Sequence, residues 1–142
     1  YSPTKFALEA MSEAMAYELV PHNIEVSIIE PGGYPTQVWV NRNIYTAALK
    51  ERAQDIHTDG YPQVVAGMGT EDGSGRSADP MDVPRAIAQI IAMPMGTRPL
   101  RTEVHPGTKP QMKINDVAAQ TQVAWLGGSG YGPLIKAVHN ID

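Results

Sequence analysis

Tyr1 and Lys5 stand four residues apart in the opening stretch YSPTK. On a helix, residues i and i+4 share a face one turn apart, so this spacing puts a lysine beside a phenol. An unperturbed phenol ionises near pH ~10, and a neighbouring cation favours the phenolate. A phenol in that setting can give a proton to a forming alkoxide or take one from an alcohol. That is the acid–base half of a carbonyl/alcohol redox step, and the hydride half requires a cofactor. The pattern alone is weak, since chance supplies about 0.2 such matches in a chain of this composition. Taken by itself, the pair reads first as a cation–phenol contact on a surface helix.

Other chemistry-bearing residues are less organised. The four histidines, His22, His57, His105 and His139, form no ligand pair at helical spacing, so no metal site is expected. His105, at the end of a predicted strand, reads as structural rather than as facing a site. The stretch GSGRSA (73–78) fits a Gly-x-Gly-x-x-Ala pattern. A dinucleotide fingerprint joins a strand to a helix; this one follows MGTED and runs into DPMDVP, and reads as a flexible loop able to help cover a substrate. The stretch GGSGYG (127–132) reads as a helix stop and turn. Tyr34, Trp39, Ile44, Tyr45, Tyr61 and Met68 are candidates for an apolar substrate wall, although packing of a helical lid explains each one singly. As a set they point to an apolar ketone or secondary alcohol, such as a steroid-like compound.

The elements that would hold these residues follow from periodicity. Residues 1–20 place Phe6, Ala7, Ala10, Met11, Ala14 and Met15 at helical spacing, among good helix formers, and Pro3 fits only a first turn. Pro21 and Asn23 end this helix. IEVSIIE (24–30) is β-branched and apolar, as buried parallel strands are, and PGG stops it. A helix is expected around 43–55, then a loose Gly-rich stretch at 67–77. Residues 79–94 predict a long helix with Asp82 or Asp79 as N-cap and Pro84 near its start. RTEVHPG (101–107) predicts a second strand. Residues 115–128 predict a helix capped by Asn115 or Asp116 and closed by the Gly pair. Helix, strand, long connection and strand make an α/β pattern with two parallel strands. The first strand would need a neighbour on its other edge, so further strands are expected upstream of residue 1.

Composition narrows the function classes. The net charge is −4, which argues against a nucleic-acid surface or an anionic-lipid patch. There are no cysteines, which removes disulfides, thiolate metal sites and thiol nucleophiles and fits a cytoplasmic setting. No apolar run approaches the ~20 residues of a membrane span.

The ordered set YSPTKFALEAMSEAMAYEL…IEVSIIEPGGYPT resembles the short-chain dehydrogenase/reductase family. Tyr-x-x-x-Lys opens an Ala/Met-rich helix, a strand ends in Pro-Gly, and a threonine follows five residues after the proline. The likeness is dense over 1–36, general over 79–107 and poor over 37–78. The tail INDVAAQTQVAWLGGSGYGPL looks like the hydroxysteroid-dehydrogenase-like branch. The resemblance implies the C-terminal part of a doubly wound parallel-sheet Rossmann-type fold. Its parts would be an active-site helix, strand and turn (1–36), a substrate-covering segment (37–78), a helix and last strand (79–107) and a tail (108–142). It implies NAD or NADP as cofactor, a carbonyl or secondary-alcohol substrate, and a homo-oligomer. By position, Tyr1 matches the catalytic acid/base, and Lys5 the residue that meets the nicotinamide ribose hydroxyls and tunes the phenol. Pro31 and Gly32 match the turn under the nicotinamide ring. Backbone groups of Gly33 and Tyr34 would meet the carboxamide, and the Thr36 hydroxyl the cofactor's amide or phosphate side. Pro35 departs from the commoner pattern and removes one N–H donor beside Thr36. The family's phosphate-binding glycines and catalytic serine are expected upstream of Tyr1. The alternatives are a non-catalytic Rossmann-type binding or scaffold module, or an inert fragment.

Overall fold

The computed structural model describes residues 1–107 and 109–141. Thr108 and Asp142, at the two ends of the expected tail, lie outside the described residues. Two compact units are formed, Tyr1–Gly32 with Met81–Asp142, and Gly33–Pro80.

The first unit begins with α1 (Ser2–Leu19), which tolerates Pro3 because it falls in the first turn. Pro21 lies in a 3-10 turn, and Asn23 adopts a left-handed φ of 58° that breaks the helix. Strand β1 (Ile28–Pro31) is shorter than the sequence predicts, because residues 24–27 have no strand partner among the described residues. Strand β2 (Arg101–Val104) pairs with it in parallel, Ile28 opposite Arg101 and Glu30 opposite Glu103. The ladder runs on past β1, with the Gly32 N–H donating to the Val104 carbonyl at 3.0 Å.

Between the strands lies α4 (Asp82–Ala92), preceded by Met81 as cap residue in place of either predicted aspartate. It is strongly amphipathic and contacts both strands, with Ile90 buried. Helix α5 (Gln111–Leu126) starts four residues before the predicted point and contacts β2. The Gly pair closes it, and a further helix α6 (Gly132–His139), which periodicity does not reveal, packs on α5 and α1. Gly132 must be glycine here: a Cβ would collide with the Gly127 carbonyl. Helices against a parallel sheet make this an α/β arrangement, matching part of a doubly wound Rossmann-type fold.

A polar network ties this unit together. Glu9, Glu13 and Tyr17 lie at i, i+4, i+8 along one stripe of α1. Arg101, at the start of β2, reaches Glu13 at 2.6 Å and Glu9 at 3.4 Å. Its Nε lies 3.7 Å from Glu30 on β1. Asn115 of α5 donates to Glu30 at 2.9 Å and Glu103 at 2.6 Å. Tyr17 donates its hydroxyl proton to Glu13 at 2.5 Å, and His139 of α6 lies 2.7 Å from the same hydroxyl. With that proton given to Glu13, the His139 Nε2–H is the donor to Tyr17. Burial pushes the Glu13 carboxyl up, but hydrogen bonds from Tyr17 and Arg101 outweigh it and hold it below the usual glutamate range. Burial, aided by Glu9 and Glu103, raises Glu30 despite Asn115 and Arg101. Burial also lowers His139 and, with the Glu13 bond, raises Tyr17 well above an ordinary phenol.

The second unit holds α2 (Val38–Arg52) and α3 (Pro62–Gly67), and then a loop through residues 68–80. Helix α2 begins five residues before the predicted start, and α3 falls almost wholly in a stretch to which the sequence reading assigns no element.

Candidate active site

Tyr1 is the cap residue of α1, not a residue within it. Its carbonyl accepts the Lys5 N–H at 3.2 Å and the Thr4 hydroxyl at 2.7 Å, which pins the first turn. That turn brings the pair together: the Lys5 ammonium stands 5.4 Å from the Tyr1 ring centroid, within range of a cation–π contact. The phenol is 90% exposed, and its hydroxyl has no protein partner among the described residues. Both reactive groups are thus uncommitted and face outward.

Pro31 and Gly32 sit where β1 ends, at the carboxyl edge of the sheet, the edge at which open α/β folds bind ligands. Gly32 is required by its neighbour: a Cβ would lie 2.6 Å from the His105 ring. The His105 Nδ1 accepts the Gly107 N–H at 3.0 Å, so this histidine braces the ends of both strands. Its reading as a structural residue agrees with these contacts.

Gly33, Tyr34 and Thr36 open the second unit. Tyr34 is buried, and its carbonyl takes the Thr36 N–H at 3.0 Å and the Trp39 indole N–H at 2.7 Å. The Thr36 hydroxyl is exposed and has no protein partner among the described residues. Trp39 is contacted by two guanidiniums, Arg42 at 4.7 Å and Arg76 at 4.2 Å from its ring centroid. Of the residues read as an apolar wall, Ile44, Tyr45 and Tyr61 are exposed, whereas Trp39 is engaged as described. Sequence reading missed Arg42, Glu71 and Arg76. The one available signal was Trp39 and Arg42 at i, i+3 on a helix.

GSGRSA carries no fingerprint geometry. Gly73 and Gly75 take φ values of 83° and 78° in a loop between α3 and α4, and α4 begins only at Asp82. In the first unit, a groove of about 640 Å³ runs between the end of α1, the turn at 95–98 and α6, and no candidate residue lines it. Among the described residues, no three His, Asp or Glu side chains are placed to hold a metal ion. No helix among them is long and apolar enough to cross a membrane.

The donor set suits a nicotinamide cofactor. A free ammonium and a free hydroxyl, Lys5 and Thr36, are the groups that would meet ribose hydroxyls and a carboxamide or phosphate. The side-chain positions of Gly32 and Gly33 are already filled by the His105 ring and the Arg76 guanidinium, so their backbone is approached from the protein itself on those sides.

The family model for short chain dehydrogenases matches residues 1–45, the stretch holding every candidate catalytic and cofactor-binding residue. The 3-ketodihydrosphingosine reductase of Bacteroides thetaiotaomicron is 34% identical over 106 residues, covering 75% of this chain and 37% of that protein. The uncharacterized oxidoreductase YusZ of Bacillus subtilis is 32% identical over 90 residues, 63% of this chain and 31% of that protein. The matches therefore span about a third of the length of these curated relatives. Neither relative's name refers to a steroid. No solved structure gives a significant match. The Tyr1–Lys5 turn, the Pro-Gly strand end and these matches agree: residues 1–45 match the short chain dehydrogenase family, and the chain is similar to oxidoreductases over that stretch and beyond it.

Proposed function

We propose that the full-length protein is an NAD- or NADP-dependent oxidoreductase acting on the carbonyl or secondary-alcohol group of an apolar substrate. The observation that carries this reading is the exposed Tyr1 phenol with the Lys5 ammonium 5.4 Å from its ring, both free of other protein partners among the described residues. When bound, the nicotinamide supplies or accepts the hydride. Tyr1 Oη gives its proton to the carbonyl oxygen as that oxygen becomes an alcohol, or takes it back in the reverse direction. Lys5 holds the ribose hydroxyls and keeps positive charge where negative charge develops on the phenol oxygen. Backbone at Gly33 and Tyr34, with the Thr36 hydroxyl, would hold the carboxamide.

The name of the Bacteroides relative supports a ketone on a long aliphatic compound as substrate class, in preference to the steroid-like compound read from the apolar set Tyr34 to Met68. Exposed Ile44, Tyr45 and Tyr61 supply apolar surface suited to such a chain. The test is oxidation of NADH or NADPH by the full-length protein with a panel of long-chain, cyclic and steroid ketones. Turnover on at least one apolar ketone is expected. Cofactor binding without turnover on any of them would favour a non-catalytic binding module.

A further inference from the structure

We propose that Trp39, held by Arg42 and Arg76, is a positioning device that fixes the backbone of the Gly33–Thr36 turn. Arg76 is the residue that braces it. The inference rests on the functional reading above, in which that turn takes the nicotinamide carboxamide. It concerns only residues of the second unit.

Three ties converge on the indole. Its N–H donates to the Tyr34 carbonyl at 2.7 Å, and the same carbonyl accepts the Thr36 N–H at 3.0 Å. A side chain on α2 thereby sets the orientation of a peptide within the turn. The ring carries two guanidiniums, at 4.7 and 4.2 Å from its centroid. Two cations around one ring repel each other, and Glu71 offsets this by pairing with both. One carboxylate oxygen meets Arg42 at 3.2 Å and the other meets Arg76. The Glu71 backbone carbonyl also accepts from Arg42 at 2.7 Å and from Asn43 at 3.0 Å, which docks the loop on α2.

Glycines supply the third tie. A Cβ on Gly73, whose φ is 83°, would lie 2.6 Å from the indole Cδ1. A Cβ on Gly33 would collide with the Arg76 guanidinium. Arg76 thus touches the turn at Gly33 and the ring at Trp39, while Trp39 holds Tyr34. The loop read from sequence as loose is fastened by its own charges to the residues that would meet the cofactor.

The clamp and its role are tested separately. Trp39 and Trp125 are the two tryptophans, so Trp125→Phe leaves Trp39 as the single indole reporter. In that background, Arg76→Ala and Glu71→Gln should red-shift Trp39 emission and increase its quenching by acrylamide. Unchanged emission in both variants would overturn the clamp. In the full-length protein, Arg76→Ala and Trp39→Phe should weaken binding of the reduced dinucleotide roughly 3- to 10-fold, the range for losing one or two hydrogen bonds. ADP-ribose, which lacks the nicotinamide, should bind these variants as it binds the parent. Arg76→Lys, which keeps the charge but not the planar stack, should recover only part of the loss. Equal weakening of both ligands, or of neither, would overturn the positioning role. A parent that binds neither ligand would overturn the functional reading, and with it the role, whatever the fluorescence shows.

Discussion

Lys5 makes no contact with a carboxylate or carbonyl among the described residues through its ammonium, and the Tyr1 ring is the group it faces. Lys5→Ala in the full-length protein should therefore lower both cofactor affinity and turnover, since one side chain serves ribose and phenol. Titration calorimetry and steady-state rates check this, and loss of only one of the two would separate the roles. Gly32 offers a second test. Gly32→Ala puts a methyl 2.6 Å from His105 Cγ and Cδ2, atoms held close to that residue's own backbone. The ring cannot swing its far end away, so the strand end must shift. A loss of about 1–3 kcal/mol in a denaturant midpoint measurement is expected, as for other overpacked sites.

At the scale of elements, α1 does two jobs with two faces. One face carries Glu9, Glu13 and Tyr17 into the network around Arg101. Arg101→Met should cost about 3–5 kcal/mol, because it strands the Glu13 and Glu30 carboxylates, which are largely out of water, and denaturant unfolding would show it. The network also sets the pH response. Glu13 is held low, so its contribution is present above the ordinary glutamate range and is lost as pH falls through its lowered value. His139 is held low too, so its contribution is full above the ordinary histidine value of ~6.5 and is lost on acidification. Glu30 is raised and works the other way, its share being lost as pH rises through the raised value. Unfolding midpoints at pH 7.5 and 5.5 should show a loss of stability at the lower pH, and His139→Gln should shrink that loss. Further round α1, Leu8, Met11 and Met15 are exposed beside the small Ala10 and Ala14. Such a face permits close helix approach. Ala10→Glu or Ala14→Glu should convert a homo-oligomer to a folded monomer by light scattering, and an unaltered oligomer would rule this face out.

These elements also show what the sequence can convey. Helix α1, the Pro-Gly strand end and the Gly pair after α5 were legible because each rests on local chemistry: helix propensity, a missing N–H, a missing Cβ. The start of α2 was not, because Val38, Val40 and Ile44 are exposed and leave no clean apolar stripe to read. Helix α6 hid behind Gly130, Gly132 and Pro133, which read as a turn although the proline falls in the first helical turn. The candidate residues within 1–36 came from motif order. The Trp39 clamp did not, because Glu71 and Arg76 meet α2 across about thirty intervening residues, and no period links them.

For the molecule as a whole, what these residues offer a dinucleotide is one end of a site. In the proposed reading Lys5, the turn at 31–34 and Thr36 serve the nicotinamide half, and the Gly-x-Gly-x-x-Ala stretch at 73–78 lies in a loop between α3 and α4 instead of joining a strand to a helix as a pyrophosphate seat would. Residues 1–142 alone should therefore bind NAD(H) and NADP(H) far more weakly than the full-length protein does, and calorimetry on both would show it. Micromolar binding by the 142-residue chain would place the phosphate site within it. The central claim is that Tyr1 transfers the proton. It is tested by Tyr1→Phe in the full-length protein, with turnover on an accepted ketone and cofactor binding measured on one preparation. The account predicts a fall in turnover of roughly 10²- to 10⁴-fold, with cofactor affinity nearly that of the parent. Turnover within a few-fold of the parent would contradict it.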